Sequence, residues 1–280
     1  MRTAGFISVA LFGLLMGAAA RAAVEPVTLS SAQAQVVLAP ATRYLVDPTG
    51  QVSAAELFPR IDSTAFQPLP GGDATFGFVD GAYWFHTRLV NADPRASRRI
   101  LLLGYVLLDE IDVYLRHADG SIVHQASGDQ RPFRERSLRY RAPNFFIDLK
   151  ADEQVDLLVR VRSKSSMQVP LVLYTQNGFF ELTRDSQLGL GLYYGMLLAL
   201  LLYNLILVVS LRDLNYLYYT LYVSGFGLVQ LCLNGLGFEY LWPDVPWLAN
   251  VAVPVTMALG MLFMHQFVHV FLDLKRRMPV

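Results

Sequence analysis

Three stretches without Asp, Glu, Lys or Arg dominate the second half of the chain: Leu188–Leu211, Tyr216–Leu236 and Leu248–Leu272. Each is about the length that a helix needs to cross a bilayer. In lipid the backbone must satisfy its own hydrogen bonds, so these stretches predict transmembrane helices rather than buried strands or loops. The links between them are short, and Arg184/Asp185 and Arg212/Asp213 bracket the first. Before about residue 188 the pattern changes to alternation. In Tyr83–Asn91, Trp84, His86 and Arg88 share one face and Phe85, Thr87 and Leu89 the other. Ile111, Val113 and Leu115 alternate with Asp112, Tyr114 and Arg116, and the turn His117–Gly120 leads back along Ser121–His124. Further strands are expected at 99–105, 145–149, 155–162 and 169–175, with Val155, Leu157, Val159 and Val161 facing one way. Only Ser53–Phe58 reads as helix, with Ser53 as N-cap and Glu56 at the capping-box spacing. Many short strands over residues 24–180 predict an all-β, jelly-roll-like sandwich followed by an α-helical membrane region at 186–280.

The N-terminus sharpens this picture. Arg2, an apolar run from Ala4 to about Gly17 and the exit Ala20-Arg21-Ala22 have the layout of a secretory signal peptide spanning residues 1–22. The sandwich is then exported. The link Arg212–Asn215 falls inside, and the loop Gly237–Trp247, with Glu239 and Asp244 and no Lys or Arg, falls outside. The third span ends at Lys275-Arg276-Arg277, which the positive-inside rule places in the cytoplasm. Tyr240, Trp242 and Trp247 suit an interfacial anchor. The expected location is a bacterial inner membrane, with the N-terminal domain periplasmic and the C-terminus cytoplasmic.

Of the 280 residues, 54% are hydrophobic and 16% charged, and the net charge is zero, so no basic excess points to nucleic acid. Cys232 is the only cysteine, which excludes an intramolecular disulfide and a cysteine metal site. No phosphate loop, Ser-His-Asp arrangement or HExxH motif is present, and no cofactor is implied.

The chain resembles the bacterial seven-transmembrane receptors with diverse intracellular signalling modules. The resemblance rests on FGFVDGAYWFHTRLVN (76–91), LLLGYVLLDEIDVYL (101–115), SGDQRPFRER (127–136) and VPLVLYT (169–175), and in the membrane part on GLYYGMLLALLLYN (191–204), LRDLNYLYYTLYV (211–223) and GLGFEYLWP (235–243). It implies an extracellular β-sandwich sensor, and three spans that are the first of seven. It also implies an output module, such as a diguanylate cyclase, histidine kinase or phosphatase, beyond residue 280. The expected function is therefore a receptor for a small extracellular ligand, with a sugar favoured by analogy of fold. A membrane-tethered binding protein without output is the alternative. The bilayer is a partner on either reading, and the receptor reading admits a homodimer.

Candidate ligand residues are Tyr83 and Trp84, as a stacking platform or as core, and Arg131 and Arg136 in the run that continues to Arg139 and Arg141. That run is either an anion site or a solvated, salt-bridged loop. Asp109 and Glu110 point to opposite strand faces and are read as solvated. Within the membrane Asn204, Gln230, Asn234, His265, Gln266 and His269 should face other helices. His265 and His269, one turn apart, either pack at the interface or share a metal; no further ligand is visible, so no metal is assigned.

Overall fold

The computed structural model describes residues 25–273. The signal-peptide reading of 1–22 and the basic cluster at 275–277 lie outside them. Two sheets face each other. The larger runs in the order β4 (Gln67–Pro68), β3 (Arg43–Asp47), β6 (Ala82–Asn91), β11 (Gln154–Arg162), β8 (Glu110–Arg116) and β9 (Ile122–Ser127), and β1 (Val27–Leu29) pairs parallel to β6. The smaller runs β10 (Asn144–Leu149), β7 (Ser97–Leu103), β13 (Leu171–Tyr174) and β2 (Gln35–Val37), all antiparallel. A short pair, β5 (Thr75–Gly77) and β12 (Met167–Gln168), stands apart.

The alternating pattern becomes the core. Val155, Leu157, Val159 and Val161 of β11, with Phe85 and Leu89 of β6, meet Leu101, Leu103, Phe145, Ile147, Leu171 and Leu173 of the opposing sheet. The other face of β6, which carries Trp84, His86 and Arg88, is covered as well. Helix α1 (Ala54–Leu57) and the turn after it lay Leu57, Phe58, Ile61 and Phe66 over Trp84 and Leu158 as a second apolar layer. Ser53 caps α1 as expected: its hydroxyl accepts from Glu56 N–H at 3.4 Å and donates to the Glu56 carboxylate at 2.7 Å.

The sandwich passes into the membrane region without a linker. Residue Thr175 follows β13 and caps α2 (Gln176–Leu211), its hydroxyl accepting from Gly178 N–H at 3.0 Å. At 1.5 Å per residue α2 is about 54 Å long, well beyond the ~30 Å hydrocarbon core. Its first turns therefore stand on the sandwich, where Phe179 packs edge-to-face on Tyr140 at 5.3 Å and Tyr174 at 6.3 Å. A Cβ on Gly178 would lie 2.4 Å from the Ala34 carbonyl oxygen, so only glycine permits this approach. The first span expected at 188–211 is thus the latter part of a helix that begins at Gln176.

Two residues, Arg212 in the left-handed region and Asp213 as N-cap, turn the chain into α3 (Leu214–Leu233). A wide turn at Gly237–Leu241 leads to α4 (Pro246–Phe271). Helices α3 and α4 touch at Gly225 and Gly260, where a Cβ on Gly225 would sit 3.1 Å from Gly260 Cα; small residues allow such close packing in lipid.

Candidate ligand cleft and membrane junction

A cleft of about 560 Å³ opens at one end of the sandwich, within the size range of small-molecule sites. The β5–β6 turn supplies Phe78, Asp80 and Gly81, the start of β8 supplies Asp109 and Glu110, and the end of β11 supplies Arg162, Ser163 and Lys164. Gly81, at φ 85°, lets the turn close; a Cβ there would lie 2.5 Å from the Asp47 carbonyl oxygen. The Phe78 ring is 83% exposed, an open aromatic face beside carboxylates and cations. Asp109 is buried rather than solvated, because its carboxylate accepts from Ser163 Oγ at 2.9 Å and from Lys164 N–H. Glu110 stays half-exposed, 3.6 Å from Arg160.

Behind the cleft lies the junction with the membrane helices. Gly128, at φ 132°, brings the loop after β9 against β8; a Cβ would sit 2.0 Å from the Asp109 carbonyl oxygen. Asp129 follows, buried beside Asp109. Burial and the Asp109 charge push its carboxyl up to about 7, against the pull of Arg136. Arg136 is buried too, and burial lowers its guanidinium to about 10 against the pull of Asp129 and Glu239. It donates to the carbonyls of Tyr140 at 3.0 Å and Arg141 at 2.6 Å, and lies over the rings of Phe133 at 4.6 Å and Phe238 at 5.5 Å. Phe238 belongs to the turn between α3 and α4, so Arg136 joins sandwich to membrane region. More contacts do the same. Phe133 N–H donates to the Pro243 carbonyl at 2.8 Å, Arg134 reaches Asp244 at 3.3 Å, and Arg141 donates to the Asn234 carbonyl at 3.3 Å and Ser186 Oγ at 3.2 Å.

The residues singled out in the sequence do not form one site. Tyr83 and Trp84 are both buried, on opposite faces of β6: Tyr83 in the inter-sheet core and Trp84 under α1. Neither offers an open face for stacking, because the layer over the large sheet was invisible in the local pattern. Arg131 is half-exposed and pairs with Glu135 at 3.5 Å, one turn away, as a solvated loop would. Arg136 is in the junction, and Glu239, in the loop expected to fall outside, is buried there as well.

In the membrane part, Asn204 is buried and bonds back to the Leu200 carbonyl at 2.8 Å. Asn234 donates to the Tyr194 hydroxyl at 3.1 Å, joining α3 to α2, and to the Gln230 carbonyl at 3.0 Å. Gln230 itself is half-buried. The rings of His265 and His269 are 6.3 Å apart, His265 exposed and His269 half-buried. Among the described residues no cluster of three His, Cys, Asp or Glu side chains is placed to hold a metal. Phe78 was missed as a site residue; its signal was an aromatic beside the Asp80-Gly81 turn.

Comparison with known proteins places both halves. No curated protein matches the chain. Among solved structures it is similar to a protein assigned as a β-galactosidase from Bacteroides fragilis, at 11% identity and TM-score 0.30 over 50% of this chain and 23% of that one. It is also similar to the Ruminococcus gnavus β-glucuronidase, at 13% and 0.28 over 48% and 27%, and to the Kluyveromyces marxianus β-glucosidase in complex with glucose, at 11% and 0.28 over 59% and 20%. The match thus spans about a quarter or less of each of those chains. The family model described as 7TMR-DISM extracellular 2 matches residues 39–175, and the model described as 7TM diverse intracellular signalling matches 186–280. With an extracellular sandwich carried directly on apolar membrane helices, the chain belongs to the seven-transmembrane receptors with diverse intracellular signalling modules.

Proposed function

We propose that this receptor senses a small polar solute, of the polyol or sugar class, in the cleft at the end of the sandwich. We propose also that it sits in a bacterial inner membrane, with the sandwich in the periplasm, and relays the signal to a cytoplasmic output module. The observation that carries the reading is the adjacency of cleft and junction. Asp109 lines the cleft, Asp129 lies against Asp109, and Arg136 beside Asp129 holds the turn between α3 and α4. A ligand that favours one arrangement of the cleft thereby biases the junction, as population shift requires. The linker-free join of β13 to α2 favours transmission over tethering, since a binder that only needs holding gains nothing from a rigid connection. Phe78 supplies a face for sugar C–H bonds, and Asp80, Glu110, Gln130 and Lys164 supply hydroxyl partners.

The test is a thermal-shift screen of the full chain in detergent against sugars and organic anions. A hit at 100 times its dissociation constant should add about 2.7 kcal/mol to stability. Phe78→Ala and Glu110→Gln should abolish that shift and leave the unliganded melting point within about 1–2 °C, as surface changes do. Retained binding in both variants would remove the cleft as the site. Orientation is tested separately. A reporter active only in the cytoplasm should work when fused after Val280 and fail when inserted at Gly237; the reverse pattern would overturn the topology.

A further inference from the structure

At the centre of the junction is a second, much smaller cavity of about 20 Å³. Residues distant in sequence enclose it, and Val106, Leu107, Phe238, Ala249 and Ala252 form its apolar wall. Asp129, Arg136 and Arg141 come from the loop after β9, Cys232 and Gly235 from the end of α3, and Trp242 from the turn before α4. A space of this size holds one water-sized particle. Among the polar residues of the lining, unpaired donors outnumber unpaired acceptors. Arg136 Nε and Nη2, Arg141 Nε and Trp242 Nε1 are all buried donors without a protein partner, and Asp129 Oδ1 is the acceptor in the same condition. Arginine and tryptophan side chains carry donors and no acceptor. A water molecule bridging these groups accepts two of the donors and leaves the others unsatisfied, at a cost of about 1–3 kcal/mol each. A monatomic anion is not limited to two donors and neutralises guanidinium charge as well, set against the repulsion of the Asp129 carboxylate.

We propose that this cavity is a binding site for a small monovalent anion of the halide class, chloride being the abundant one, held by Arg136, Arg141 and Trp242. The site is distinct from the solute cleft, and it stands whether or not the cleft binds a sugar. Its location gives it a consequence. The donors belong to both sides of the junction, so the bound anion ties the sandwich to the α3–α4 turn.

The test uses the full chain in detergent, with sodium chloride exchanged for sodium bromide, gluconate or sulfate at constant ionic strength. The melting point should rise by several degrees with chloride or bromide along a saturating curve, and stay flat with gluconate and sulfate. Iodide quenching of tryptophan fluorescence should show a saturable component that chloride displaces and that Trp242→Phe removes, above the linear quenching of exposed Trp247. Asp129→Asn removes the negative charge facing the anion and should lower the chloride midpoint several-fold. A melting point that follows ionic strength regardless of the anion, with purely linear quenching, would mean that the cavity holds only water and would overturn the proposal. A higher chloride midpoint in Asp129→Asn would also overturn it, because the carboxylate would then be helping to hold the occupant.

Discussion

Trp84→Ala is expected to destabilise the sandwich by about 3–5 kcal/mol, the range for deleting a fully buried large aromatic side chain. The indole is 0% exposed and fills the layer between the large sheet and α1, against Leu57, Phe58, Phe66 and Leu158. Its ring lies 5.9 Å from Tyr114, which stacks in turn on His124 at 4.4 Å. In a region of about 150 residues the loss should lower the melting point by roughly 6–20 °C. Trp84→Phe should cost much less, because indole Nε1 makes no hydrogen bond that the substitution would break. Thermal unfolding of the two variants checks both claims. If Trp84→Ala melted like the parent and lost ligand binding instead, the stacking role first considered for it would be restored.

That outcome bears on what the chain discloses on its own. Strands β6, β8, β10, β11 and β13 were legible because each has enough alternating positions to mark an inner face, and the structure places them within a few residues of expectation. Strands β1 to β5 were not. They are two to five residues long, and β2 shows only a half-buried Val36 between two exposed neighbours. Their identity comes from partners elsewhere in the chain, such as Val27 beside Leu89 in parallel register. Hydropathy marked where lipid begins but not where α2 begins, because Gln176–Asp185 is a helix held by the sandwich and a threonine cap.

The site was less legible for the same reason. Alternation assigned Asp109 and Glu110 to opposite faces and suggested water for both, whereas Asp109 is enclosed by Ser163, Lys164 and the loop at Gly128. The arginine run looked like a solvated loop; Arg131 and Arg134 match that, and Arg136 does not. What separates them is burial: Arg134 meets Asp244 at the surface, whereas the turn at Phe238, about a hundred positions away, covers Arg136.

Loss of the Asp156 carboxylate should be as damaging as loss of the Trp84 ring, and pH gives it a second signature. Asp156 projects from β11 into the same outer layer and gathers three partners: His86 Nε2 at 3.0 Å, Arg88 Nε at 3.0 Å and Arg116 Nη2 at 2.6 Å. Arg88 also reaches Asp62, which ties the segment after α1 to the network. Asp156→Ala leaves Arg88 and Arg116 largely buried without this carboxylate, and removing one partner from such a set costs about 3–5 kcal/mol. Asp156→Asn keeps the shape and one acceptor oxygen, so it should lose less. Burial alone would raise the Asp156 pKa. The hydrogen bonds from His86 and Arg116 and the charge of Arg88 outweigh burial and hold it well below the usual carboxylate range. With the folded value depressed, the unfolded state binds the proton more readily. The contribution is therefore complete above the unfolded pKa of about 4 and is lost as pH falls toward the folded value. Asp129 has the opposite sign: with its folded value raised to about 7, it favours the folded state below pH ~4 and loses that contribution as pH rises to 7. Between pH 7 and 4, acidification should thus stabilise the parent protein through Asp129, and below pH 4 it should destabilise it through Asp156. In Asp156→Asn the second limb should become shallower and the first should remain. Denaturant unfolding at a series of pH values reads both limbs, and an unchanged acid limb in Asp156→Asn would show that other carboxylates control the acid stability of the sandwich.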